Sequence, residues 1–142
     1  MIRAEQTSDK EVLKKVYDIR REVFIDEQNV PEEEEYDQYE DSSYHFVAWD
    51  DQVPCGAARW RETADGIKLE RFAVIKSRRG KGVGSALVKA VLEHVASLPD
   101  TEGKKLYLNA QVSAMPLYAK FDFNPEGERF MECDIEHQKM VR

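Results

Sequence analysis

Eight residues, Arg78-Arg79-Gly80-Lys81-Gly82-Val83-Gly84-Ser85, restrict the folds open to this chain more than any other stretch. Ahead of them runs Leu69-Glu70-Arg71-Phe72-Ala73-Val74-Ile75, apolar-rich and of strand length. Behind them, Val83, Leu87, Val91, Leu92 and Val95 recur at helical spacing. The order is therefore strand, basic glycine turn, amphipathic helix. Three glycines in five residues permit positive φ and close approach of a ligand to the backbone. A helix start adds N–H groups without intrahelical partners and the positive end of the dipole. Together these features form a phosphate cradle. Lys76, Arg78, Arg79 and Lys81 crowd positive charge around it.

The kind of cradle follows from spacing. The nucleotide loop Gly-x-x-x-x-Gly-Lys-Ser/Thr is absent, and the third glycine of a dinucleotide fingerprint arrives one residue early. The pattern Arg/Gln-x-x-Gly-x-Gly fits, filled by Arg79, Gly82 and Gly84. It resembles the pyrophosphate loop of the GNAT superfamily of acyl-CoA-dependent N-acetyltransferases. The plainer alternative is a tight strand-to-helix turn with ordinary surface lysines and arginines.

At 142 residues the chain is expected to form one domain, 1–142. Its formal charge of −7 argues against nucleic acid as a partner, so the basic cluster at 76–81 points to a small anion. Cys55 and Cys133 form no CxxC pair, and His45, His94 and His137 are scattered, so no metal is expected. The first residues are charged and no apolar run is long enough to span a bilayer. A cytoplasmic protein with no membrane partner is the expectation, and a homodimer stays open.

In chain order, Ser8 and Glu11 have the form of a capping box that starts a helix running to about 25. Pro31 follows its end. Residues 32–41 carry seven carboxylates, read either as a solvated loop or short helix, or as a negative lip for a cationic amine. Strands are expected at 44–49, 53–62 and 67–75, with Gly56 a candidate bulge and Asp65-Gly66 a hairpin turn. The helix after the glycine turn ends near Leu98, before Pro99. A strand at 105–111 then lies parallel to 67–75, because a helical crossover separates them. Ser113 caps a short helix, and two strands over 123–133 and 135–141 close the chain. The result is an α+β fold with a mixed, mostly antiparallel sheet of six to seven strands and about four helices. If the parallel pair splays, an extended ligand can enter the gap and pair with Phe72, Ala73 and Val74 as a strand does.

A second segment, Gln111 to Phe123, is similar to the GNAT pattern Asn-x-x-Ala-x-x-Leu/Phe-Tyr-x-x-x-Gly-Phe at Ala114, Leu117, Tyr118 and Phe123. Gln111 replaces the asparagine, and Asp122 replaces the glycine of a turn that asparagine and aspartate tolerate. Residues 19–28 with Val30-Pro31, and Leu108-Asn109-Ala110-Gln111, resemble an ElaA-like subgroup.

The resemblance implies transfer of acetyl from acetyl-CoA, used as cosubstrate, to a primary amine of a small molecule, cationic or neutral, in a ternary complex. Tyr118 takes the place of the proton donor to sulfur. An N–H near Ala73 or Val74 takes the place of the oxyanion donor. Glu70 is the candidate base, expected to face the same side as Phe72 and Val74 with its pKa raised by burial. An ion pair with Arg59 or Arg61 is the alternative role for it. Glu27 and His45 are further candidates for the base. For the cofactor, Arg79 and Lys81 supply charge, the amides of Gly80, Gly82, Val83 and Gly84 fix geometry, Ser85 adds a hydroxyl and Gln111 meets the pantetheine. Cys55 and Cys133 lie outside both motifs, so no acetyl-cysteine is expected. A domain that senses acyl-CoA without turnover is the rival reading.

Overall fold

The computed structural model describes residues 1–142. The chain runs β1 (Ile2–Thr7), α1 (Lys10–Arg20), a π-helical turn (Arg21–Glu27), α2 (Glu32–Glu35), β2 (Tyr44–Asp50), β3 (Val53–Thr63) and β4 (Gly66–Val74). After the glycine turn come α3 (Val83–Ser97), β5 (Leu106–Gln111), α4 (Met115–Ala119), β6 (Asn124–Pro125), β7 (Phe130–Glu132) and β8 (Ile135–Val141). The sheet order is β1-β2-β3-β4-β5-β8-β6, and β7 also pairs with β8. Every pairing is antiparallel except β4 with β5. There are eight strands rather than six or seven. The stretch 123–133 breaks into β6 and β7, with Gly127 at φ 80 between them.

Period-two alternation sorts the long strands into two apolar faces. On one face, Val83, Leu87, Val88, Val91 and Val95 of α3 bury against Phe46, Ala58, Trp60, Ile67 and Leu69. On the other, Val16 and Ile19 of α1, with Val23 and Phe24 of the π-turn, bury against Val47, Ala57 and Ala73. Gly56 is where α3 comes closest to the sheet. A Cβ there would stand 2.8 Å from Val83 Cγ1 and 3.0 Å from Leu87 Cδ1. The bulge expected at Gly56 falls next to it, at Cys55, between the pairs Ala48↔Gly56 and Trp49↔Pro54.

Local signals differ from expectation in three places. Asp9, not Ser8, caps α1: its carboxylate accepts from the N–H groups of Glu11 and Val12 at 3.0 and 3.1 Å. The first helix continues past 25 as a π-turn to Glu27. Ser113 does not cap α4; a 3₁₀ turn (Val112–Ala114) leads in and Ala114 stands at the N-cap. Asp122 adopts φ 70, so the turn that glycine would favour forms with aspartate.

The acidic run forms in part the expected short helix, with Glu32, Glu33, Glu34 and Asp41 exposed, but not all of its carboxylates face solvent. Glu35, Asp37 and Glu40 turn inward to two arginines whose side chains are wholly buried, Arg20 and Arg59. Arg20 donates to Glu35 Oε2 at 2.6 Å and to both oxygens of Glu40 at 2.8 Å. Arg59 grips Asp37 with two bonds, at 2.9 and 2.6 Å. Buried guanidinium groups persist only when paired and hydrogen-bonded, so these contacts fix residues 32–41 against α1 and β3. No helix is long and apolar enough to cross a membrane.

Candidate active site

The site begins at a bulge. Between the pairs Arg59↔Glu70 and Ala57↔Ala73, two residues of β4, Arg71 and Phe72, stand against one of β3. Arg71 sits at φ 61, the left-handed region that a non-glycine residue rarely occupies. Its guanidinium holds it there, bonding to the carbonyls of Glu35 and Glu34 and to Asp37. Such a bulge bends the strand and increases its twist. The effect shows in the parallel pair. β4 and β5 pair at Ile67↔Leu106, Lys68↔Tyr107 and Leu69↔Leu108, then part, although β4 runs on to Val74 and β5 to Gln111.

The extra residue also inverts the faces beyond it. Phe72 and Val74 pack on the α3 side with Ile67 and Leu69, while Ala73 joins the α1 side. Glu70 lies opposite Arg59, on the α1 side. The expectation that Glu70 shares a face with Phe72 and Val74 is therefore corrected; it assumed unbroken alternation. Backbone direction follows the same logic. The Ile75 N–H donates to Cys55 O on β3 at 3.0 Å, so alternation aims Ala73 at β3 and Phe72 and Val74 at the gap. Ala73 is thus removed from the expected gap-facing amides. The Val74 carbonyl accepts from Arg79 Nε at 3.0 Å, which leaves its N–H and both backbone groups of Phe72 facing the opening.

The parted strands flank a cleft of about 190 Å³. Leu69 and Phe72 line it from β4, Leu108, Asn109 and Gln111 from β5, and Tyr118 from α4. Glu34, Glu132, Cys133 and His137 contribute its polar rim. Tyr118 is 6% exposed and packs edge-on to Phe72, with ring centroids 5.6 Å apart. Burial alone pushes the Tyr118 phenol well above its ordinary value, so it keeps its proton at neutral pH and has a hydrogen to donate. Gln111, expected to meet pantetheine, gives its amide to Gln28: Nε2 donates to Gln28 Oε1 at 2.8 Å. That bond ties β5 to the end of the π-turn.

At the far end of β4 the glycine turn delivers α3. Gly80 and Gly82 have φ 77 and 87, and a Cβ at either would meet nothing within 4 Å, so glycine serves the backbone angle there. Gly84 serves space: its Cβ would lie 3.1 Å from Leu117 Cδ2, on the helix that carries Tyr118. The first bond of α3 is Ala86 N–H to Gly82 O at 3.0 Å, so the amides of Val83, Gly84 and Ser85 project from the helix end without an intrahelical partner. Lys81 is exposed beside them. Arg79 is not free charge for this loop. Its guanidinium makes two bonds to Glu27, at 2.6 and 2.7 Å, which hold the Glu27 carboxyl below its usual range.

The three candidate bases meet different fates. Glu70 lines the cleft, but its carboxylate accepts from Arg59 Nη2 at 3.0 Å and Arg61 Nε at 2.6 Å, with Lys68 Nζ at 3.6 Å. Burial works to raise its pKa; Arg59, Lys68 and Arg61 outweigh burial and hold it below the ordinary range. The expected rise is therefore reversed. Glu27 is engaged with Arg79, and His45 is buried under the acidic segment with Nε2 2.7 Å from Glu40 O; neither lines the cleft. Asn109, Glu132 and His137 do line it and were not singled out from sequence. Their signal lies in strand register: His137 stands directly opposite Gln111. No cluster of His, Cys, Asp and Glu could hold a metal ion.

Comparison with known proteins gives concordant results. The chain matches the acetyltransferase (GNAT) domain over residues 3–142. It is 42% identical over 135 residues to the uncharacterized N-acetyltransferase YjcF of Bacillus subtilis (strain 168), covering 94% of each chain. Among solved structures it is similar to Escherichia coli ElaA, with TM-score 0.82 and 27% identity over 100% of this chain and 99% of that one. The fold is also that of a GNAT acetyltransferase from Elizabethkingia anophelis with acetyl-CoA bound, at TM-score 0.68 and 18% identity, covering 99% and 94%.

Proposed function

Because the chain belongs to the acetyltransferase (GNAT) domain family, we propose that it moves an acetyl group from acetyl-CoA to the primary amine of a small molecule, by direct attack in a ternary complex. One observation carries the reading: β4 and β5 part after Leu69 and Leu108, between free helix-start amides at one end and Tyr118 at the other. A diphosphate fits the amides of Val83, Gly84 and Ser85, which offer geometry and the positive end of α3. Lys81 adds charge there. A chain of amides fits beside Phe72 and Val74, whose backbone groups face the gap.

The residues then divide the chemistry. As the amine nitrogen bonds to the acetyl carbon, the carbonyl oxygen gains charge, and the Val74 N–H is placed to donate to it. As the carbon–sulfur bond breaks, the Tyr118 hydroxyl donates a hydrogen bond to the departing thiolate. Gly84 packed on Leu117 keeps the phosphate loop and Tyr118 in fixed relation. Glu70 serves the site by anchoring Arg59 and Arg61 rather than as a base. Glu34 and Glu132 leave a carboxylate rim that favours a cationic acceptor.

The test is thiol release from acetyl-CoA across a panel of amines, with mass spectrometry of the acetylated product. Release with at least one amine supports the assignment. Tight acetyl-CoA binding with no release on any amine would favour the sensing domain instead.

A further inference from the structure

We propose that the imidazole of His137 is the base that takes the proton of the attacking amine; this rests on the acetyl-transfer reading above. His137 lies on β8, paired on one side with Gln111 of β5 and on the other with Phe130 of β7. It is 7% exposed and lines the same cleft as Tyr118. Its Nδ1 is 2.7 Å from the Ile135 carbonyl. A carbonyl oxygen can only accept, so Nδ1 carries the hydrogen and Nε2 of the neutral ring keeps its lone pair. Phe130 stacks on the ring at 5.7 Å and 21°, fixing its plane.

Glu132 supplies the other half. Its Oε2 lies 3.5 Å from His137 Nε2. In the neutral ring two acceptors face each other and gain nothing. Once Nε2 is protonated, an N⁺–H faces a carboxylate and can hydrogen-bond to it. The contrast with Glu70 is direct: there the carboxylate is already balanced by three cations before any proton arrives. Other charges around the cleft are Glu34 and Glu35 from α2 and Lys68, Glu70 and Arg71 from β4. Across β5 the ring faces the neutral Gln111, and on β8 its charged neighbours Glu136 and Lys139 pair with Arg129 and Glu126. The amine nitrogen forms its bond to the acetyl carbon and yields a proton to Nε2, while the carbon–sulfur electron pair leaves on sulfur. The thiolate, hydrogen-bonded by Tyr118, takes a proton from solvent, and the imidazolium returns one to solvent.

The experiment follows kcat/KM against pH, between about 5.5 and 9, for wild type, His137→Gln and Glu132→Gln with an amine that the wild type acetylates. Acetyl-CoA affinity is measured in parallel. His137→Gln is expected to lower kcat about 100-fold, abolish the ascending limb and leave the acetyl-CoA Kd within about twofold. Glu132→Gln is expected to lower kcat about tenfold and leave the acetyl-CoA Kd within about twofold, because the proton-bearing ring loses its carboxylate partner. A His137→Gln protein that keeps its rate and limb overturns the proposal while leaving acetyl transfer intact. Should His137→Gln fail to bind acetyl-CoA, Glu132→Gln on its exposed side chain decides, and an unchanged kcat overturns the proposal. A wild type that binds acetyl-CoA and acetylates no amine overturns the reading beneath it and this inference together.

Discussion

Replacing Tyr118 by phenylalanine removes one oxygen atom from a buried site. An ordinary tyrosine titrates near 10 and a thiol near 8.5, and burial pushes Tyr118 higher still. Full proton transfer to the thiolate is thus uphill by more than about 2 kcal/mol. The hydroxyl contributes as a fixed hydrogen-bond donor to charge that appears during reaction. Loss of one such donor costs about 100-fold in turnover, or about 2.7 kcal/mol. Stability should barely change. No charge or hydrogen bond from the protein shifts the phenol, and the edge-on contacts with Phe72 and Phe123 at 5.6 and 6.3 Å involve the ring. A change within about 0.5 kcal/mol is expected. Steady-state thiol release gives kcat, calorimetry gives the acetyl-CoA Kd and thermal melting gives stability. The reasoning fails if kcat is unchanged, or if the whole loss appears in the Kd.

Three other perturbations test separate parts of the account. Gly56→Ala puts a methyl 2.8 Å from Val83 Cγ1, at the first residue of α3; it should cost about 1–3 kcal/mol and lower Tm by several degrees, and an unchanged melt contradicts the close packing. Asp37 resists burial through Arg59, the Tyr39 N–H and Arg71, and its pKa falls to about 2 from 3.8. A depressed carboxylate stabilises above its unfolded value and loses that contribution as pH falls, so the Asp37 term fades between about pH 4 and 2. Allowing for its partial exposure, Asp37→Asn should cost about 1–2 kcal/mol at pH 7 and nearly nothing at pH 2; equal losses in denaturant melts at both pH values count against this. Glu70→Gln should leave the ascending limb of the pH–rate profile where it is, since the carboxylate is already ionised by its cations. It should still destabilise by about 1–3 kcal/mol, because Arg59 keeps Asp37 and Glu40 but loses one buried partner. A shifted limb would restore Glu70 as the base.

The strand, glycine turn and helix of residues 69–95 were legible because each carries its own period or punctuation. The crossover that makes β4 and β5 parallel was readable for the same reason, while Tyr118 was named only through the family resemblance of residues 111–123. The bulge at Arg71 was not. No glycine marks it, and the left-handed angle is held by acceptors 34–37 residues away in sequence. Missing that single residue inverted the faces of Phe72 and Val74 relative to Glu70. The acidic run was legible only in part: its exposed members are surface charge, but Glu35, Asp37 and Glu40 read the same way unless one knows that Arg20 and Arg59 wait beneath them. Composition reports charge, and only tertiary pairing says which charges are spent. His137 was hidden by register, since only the β5–β8 alignment brings it beside Gln111.

Coenzyme A is proposed to lie between the parted strands, with its diphosphate at the start of α3. Amide NMR shifts during a CoA titration test this placement most directly. Saturable binding with a Kd of about 1 μM–1 mM is expected. The largest changes should fall at Phe72, Val74, Val83, Gly84 and Ser85, and smaller ones at Ala73, whose N–H points at β3. No saturable shifts, or shifts gathered on another face of the sheet, would contradict it.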